Sequence, residues 1–66
     1  MKLQLNGEPR EFPDPLSIQS LLLATGLGER RVAVEVNQSI VPRSRHDKHL
    51  LAEGDQVEII QAIGGG

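Results

Sequence analysis

The apolar residues of this chain follow a two-residue period almost everywhere and a helical period only once, between Leu16 and Leu27. Residues two apart share a face of a strand, whereas residues three and four apart share a face of a helix. The pattern therefore asks for one helix laid on a sheet. Each element has one apolar side to bury, so the helix must cover one face of that sheet. With 66 residues the chain is one domain near the lower size limit for folding alone.

Residues 2–6 alternate, with Leu3 and Leu5 on one face, and predict a half-buried strand. Asn6-Gly7 predicts a tight hairpin turn, because both residues tolerate positive φ. Glu8 to Phe12 reads as the returning strand, and Pro9 confines it to an edge by removing a ladder donor. Pro13-Asp14-Pro15 ends it. Ser17 is the expected helix N-cap, with Leu16 before it placed to staple onto Leu21. Ile18, Leu21 and Leu22 share the buried face of a helix over 18–25. Gly26 suits the left-handed position after the helix, and Leu27 can pack back onto Leu22.

Val32, Val34 and Val36 mark the clearest strand. Asn37-Gln38-Ser39 turns it, and Ile40-Val41 begins a short return that Pro42 limits to an edge. Residues 43–49 read as a polar, solvated loop with room for one helical turn. Leu50 and Leu51 bring the chain back to the core. Glu53-Gly54-Asp55 turns into a last strand over 56–63. Its core face carries Val57 and Ile59, and its other face carries Glu58, Ile60 and Ala62.

This order, joined by a right-handed crossover, describes an α+β fold of the β-grasp, or ubiquitin-like, kind. It predicts a mixed four- to five-stranded sheet with one main helix on one face. The expected core is Leu3, Leu5, Ile18, Leu21, Leu22, Val32, Val34, Val36, Leu51, Val57 and Ile59. Residues 1–63 are expected to form the domain and residues 64–66 a flexible C-terminal glycine tail.

So small a domain has no room for a deep substrate pocket, which disfavours an enzyme. The chain has no cysteine, so a disulfide scaffold, a thiolate zinc site and a cysteine nucleophile are excluded. A formal charge of −2, one Phe and no Trp or Tyr do not suggest a nucleic-acid partner. No apolar run approaches membrane-spanning length, and the start lacks the apolar stretch of a signal peptide. No membrane association and a cytoplasmic location are the expectations.

The tail Gly64-Gly65-Gly66 carries the chemistry on this reading. Glycine packs no side chain and loses much backbone entropy on ordering. A terminal glycine carboxylate, with no Cβ beside it, can enter a narrow channel in a partner. The four residues from Ile63 to Gly66 reach at most roughly 14 Å. The carboxylate is a poor acyl donor until a nucleotide activates it as an acyl adenylate. The chain has no GxxxxGK[ST] loop, so ATP and Mg2+ must be held by a partner, with no cofactor bound here. Ile60, Ala62 and Ile63, with Ala33 from the same outer face, make an expected docking patch beside the tail. His46 and His49 are three apart but lack a third ligand, so no metal site is expected. Arg30-Arg31 and Arg43, Arg45 and Lys48 form two basic clusters that read as solvated surface.

The segment Val36-Asn37-Gln38-Ser39-Ile40-Val41-Pro42-Arg43 resembles the V-N-x-x-I-V-P-R stretch of the ThiS family of sulfur carrier proteins of thiamine biosynthesis. Glu53-Gly54-Asp55-Gln56-Val57-Glu58-Ile59-Ile60 resembles that family's x-G-D-x-[IV]-x-[IVL] stretch, and the chain ends in Gly-Gly as the family does. Gly64, a third glycine, falls where the family is more variable. The resemblance implies that Gly66 is adenylated by an E1-like, ThiF-like adenylyltransferase. A sulfur-donor protein then converts it to a thiocarboxylate. A ThiG-like thiazole synthase takes the sulfur for the thiazole ring. The alternatives on these residues are a molybdopterin-synthase small-subunit-like carrier, a protein-conjugating modifier, or a passive β-grasp interaction module whose tail is inert.

Overall fold

The computed structural model describes residues 1–61 of the chain. Its elements are β1 (Lys2–Leu5), β2 (Glu8–Glu11), α1 (Ile18–Ala24), β3 (Val32–Val36), β4 (Ser39–Val41), a 3-10 turn η1 (Arg43–Arg45) and β5 (Gln56–Gln61). The expected order is therefore observed. The five strands form one mixed sheet in the order β2-β1-β5-β3-β4. The last strand lies in its centre, parallel to β1 and antiparallel to β3.

Both hairpins close with two residues at positive φ. Asn6 (52°) and Gly7 (83°) join β1 to β2, and Asn37 (51°) and Gln38 (71°) join β3 to β4. This twist matches that of the flanking strands, which is why two-residue hairpins prefer it. It fixes the register, with Leu5 opposite Glu8 and Val36 opposite Ser39. Register then decides every side chain's face, because the strand period is two. Leu3, Leu5, Val34, Val36, Val41, Val57 and Ile59 are buried. Lys2, Gln4, Ala33, Ile40, Gln56, Glu58 and Ile60, at the alternate positions, are exposed.

The helix closes the other side of this core with Ile18, Leu21 and Leu22. Both its ends are specified locally. The Ser17 hydroxyl accepts from the Ser20 amide at 3.0 Å, a cap worth about 1 kcal/mol. At the far end Gly26 has φ +80°. The Leu27 amide donates to the Leu22 carbonyl at 2.7 Å, and the Gly26 amide to that of Leu23 at 3.1 Å. This pair of bonds is the Schellman ending anticipated from Gly26 and Leu27. Thr25 is the C-cap, so the helix stops one residue before the expected limit.

Five residues depart from the expected core and loop. Leu16 and Val41 are buried although the pattern did not assign them, and Val32 is only partly buried at the edge of the cluster. Leu50 is 63% exposed while Leu51 is buried, because consecutive residues of an extended chain point to opposite sides. His46 is 6% exposed, not solvated. Its Nε2 donates to the Val41 carbonyl at 2.9 Å. The predicted solvated loop is thus folded against α1. The carbonyls of His49 and His46 accept from the Ile18 and Gln19 amides at 3.1 and 2.9 Å. The first turn of a helix has four amides without intrahelical partners, and these two are satisfied by a segment some thirty residues away (roughly one β-hairpin and its connections). Nothing in the local sequence of 43–49 announces that role.

Candidate functional site

The centre of the sheet delivers β5, and with it the end of the chain. Gly64, Gly65 and Gly66 lie outside the described residues, as do Ala62 and Ile63. The split into a domain over 1–63 and a tail over 64–66 falls partly there as well. What the structure describes is the base from which that segment departs and the surface around it.

β5 is held over its first residues by two asparagines. Asn6 follows β1, and its amide donates to the Val57 carbonyl at 2.9 Å. Its side-chain oxygen then accepts from the Ile59 amide at 2.8 Å. The side chain thereby adds one rung to the β1–β5 ladder just as the backbone turns away. Asn37 does the same from the other flank. Its amide donates to the Gln56 carbonyl at 2.8 Å, and its side-chain oxygen accepts from the Gln56 amide at 3.0 Å. Its Nδ2 donates to Asp55 Oδ1 at 3.1 Å, and Asp55 Oδ2 accepts from the Ala52 amide at 2.8 Å. Gly54, beside it, has φ +84°. The Val-Asn and Gly-Asp signatures, 18 residues apart, are one clamp on the start of β5. Both hairpin asparagines thus serve at once as residues that tolerate a left-handed backbone and as partners for the central strand.

Above the base, the outer face of the sheet presents an apolar and acidic surface. Ile60 stands opposite Ala33 in the β3–β5 register, and Glu58 stands opposite Glu35. Glu35 also faces Ile40 of β4. Ile60 is 51% exposed and Ile40 70%. Of the expected docking residues, Ile60 and Ala33 are therefore side by side on the exposed face. Ile40 is a further member that sequence reasoning left out. Its signal was the alternation Ile40-Val41, in which only one of the two can face the core. Opposed like charges weaken a strand pair, so Glu35 and Glu58 are not explained by sheet stability.

Among the described residues no group of three His, Cys, Asp or Glu could hold a metal ion. No helix among them is long and apolar enough to cross a membrane. The His46 Nε2 is engaged by the Val41 carbonyl, and the backbone carbonyls of His46 and His49 accept from the first turn of α1.

The profile of the ThiS family matches residues 3–66. The chain belongs to the ThiS family. The sulfur carrier protein ThiS of Bacillus subtilis is 37% identical over 65 residues, which is 97% of this chain and 98% of that one. The crystal structure of a ThiS thiamine biosynthesis protein from Geobacter metallireducens superposes with a TM-score of 0.86 at 32% identity, covering 100% of both chains. That likeness agrees with the β-grasp architecture. A thiazole synthase of Paramagnetospirillum magneticum is 44% identical over all 66 residues. There this ThiS-family chain spans only 20% of the relative's length.

Proposed function

We propose that this chain is a sulfur carrier of thiamine biosynthesis, a protein co-substrate and not a catalyst. The observation that carries the reading is the match to the Bacillus carrier over nearly the full length of both chains, with a family match that runs through Gly66. The reactive group is the Gly66 carboxylate. An E1-like adenylyltransferase of the ThiF kind supplies ATP and Mg2+. The carboxylate oxygen attacks the α-phosphorus, pyrophosphate leaves, and the acyl adenylate forms. The outer sulfur of a cysteine persulfide on a donor protein attacks the acyl carbon and displaces AMP, giving an acyl disulfide. A second thiol then attacks the donor's sulfur, forms a disulfide with it and releases the thiocarboxylate. A thiazole synthase of the ThiG kind accepts that sulfur. The thiazole synthase relative that contains a matching stretch supports this last partnership. The cytoplasm is the compartment in which these partners and ATP would meet the chain.

The structure supports the division of labour. The body presents an exposed apolar face with Ile60, Ala33 and Ile40, and Gly64 and Gly65 give reach and clearance. The outer face docks on the partner while Gly66 enters the active site, and Ala62 and Ile63 are expected to add to that contact. The test is intact mass after incubation with ATP, Mg2+, a sulfur donor and the adenylating enzyme. The expected change is replacement of one oxygen by one sulfur, and it should be absent when Gly66 is deleted. An unchanged mass with an enzyme proven active on another carrier would overturn the proposal, and so would full conversion of the truncated chain.

A further inference from the structure

Five of the seven Lys and Arg residues fall between Arg30 and Lys48. In sequence they are two clusters, Arg30-Arg31 and Arg43-Arg45-Lys48. In the fold, members of both clusters border a single open cleft of about 290 Å3. Arg30 lines it from the connection into β3, and Arg43 and Ser44 line it from η1. Gln19 contributes from α1. Asp47 also lines the cleft, so two arginines and one aspartate border it.

His46 lines the cleft as well. Its Nε2 lies 2.9 Å from the Val41 carbonyl, which can only accept, so Nε2 donates and the ring is held in place.

We propose that this cleft is a phosphate-binding site, with Arg30 and Arg43 holding the anion. Guanidinium forks match the oxygens of a phosphate group and form charge-assisted bonds to it. Hydrogen phosphate offers acceptor oxygens and one O–H donor, where sulfate offers acceptors only. The Ser44 hydroxyl is free to rotate into either role. Position adds to the case. Val32 lines the cleft and is the register partner of Gln61, so the site lies at the end of the sheet from which the chain runs on to Gly66. It is independent of the outer face and does not rest on the sulfur-carrier reading.

The experiment is a titration of the 15N-labelled chain followed by amide chemical shifts, near neutral pH and at ionic strength held constant with sodium chloride. Inorganic phosphate is the first probe, sulfate the second and AMP the third. Saturable shifts are expected at Gly28, Arg30, Ser44 and His46, with sulfate weaker. Arg30→Gln and Arg43→Gln should each weaken phosphate binding by about tenfold, the scale of one charge-assisted hydrogen bond. Arg45→Gln should not change it, since Arg45 lines an adjoining hollow that shares Ser44 with the cleft and does not itself line the cleft. The same spectra report whether each variant is folded. Tighter binding of AMP than of phosphate would assign the site to a nucleotide's phosphate, and equal or weaker binding to the free ion. Shifts that do not saturate, that sulfate reproduces at equal strength, or that survive both arginine substitutions would overturn the proposal.

Discussion

Replacing Asn37 separates two contributions that coincide at one residue. Its backbone is left-handed, with φ 51°, and its side chain bridges Gln56 and Asp55 at 3.0 and 3.1 Å. In Asn37→Gly the backbone is comfortable and only the side-chain bonds are lost. They are solvent-exposed, so each belongs at the low end of about 0.5–1.5 kcal/mol, and the pair contributes on the order of 1 kcal/mol. In Asn37→Ala the same bonds are lost and a Cβ is forced into the left-handed region, at a further cost of about 1–2 kcal/mol. The alanine variant should thus be destabilised by roughly 2–3 kcal/mol, most of what a core this small provides. For a domain of this length that is a fall in Tm of about 10–20 °C. Urea unfolding followed by far-UV circular dichroism measures both variants. Alanine and glycine variants of equal stability would refute the backbone part. A glycine variant as stable as the parent would refute the clamp, as would an Asp55→Ala effect that simply adds to that of Asn37→Gly.

Other positions give sharper contrasts. Gln38 has φ 71° without being glycine, so Gln38→Gly should raise stability by about 1 kcal/mol; a lower urea midpoint would contradict this. At Gly28 an added Cβ would lie 2.5 Å from Leu23 Cδ2. Leu23 is 63% exposed and can swing away, so Gly28→Ala should change stability by less than about 0.5 kcal/mol; a drop of several degrees in Tm would show that Leu23 is held. Ile60→Glu should weaken the proposed complex with an adenylating enzyme at least about thirtyfold, a hot-spot-sized loss, while leaving Tm nearly unchanged. Undiminished binding, measured by calorimetry, would assign Ile60 to ordinary surface.

The candidate site was legible in uneven parts. Ile60 and Ala33 could be placed on one exposed face from strand alternation alone, because the period of two holds along any strand. Ile40 was missed because a strand as short as Ser39–Val41 offers too few residues for a period to show. His46 was misjudged because a histidine among Arg, Ser, Asp and Lys has the local composition of a solvated loop. Its burial depends on where α1 lies, which no neighbour in sequence reports. Asn37 and Asp55 were recognised as family signatures, yet their meeting could be seen only once β3 and β5 were paired.

The sequence by itself determined the elements. Their causes are local: the alternation of Leu3 with Leu5 and of Val32 with Val34 and Val36, the hydroxyl of Ser17, the absence of a side chain at Gly26, and the turn chemistry of Asn6-Gly7. The tertiary structure decided what those elements do to one another. It placed β5 at the centre of the sheet, spent the carbonyls of His46 and His49 on the start of α1, and joined Asn37 to Asp55. It also drew Arg30 and Arg43 to one cleft. The physical reason is range. Backbone preferences and caps act within about one turn of chain, whereas burial and hydrogen-bond satisfaction are settled among residues that only the folded chain brings together.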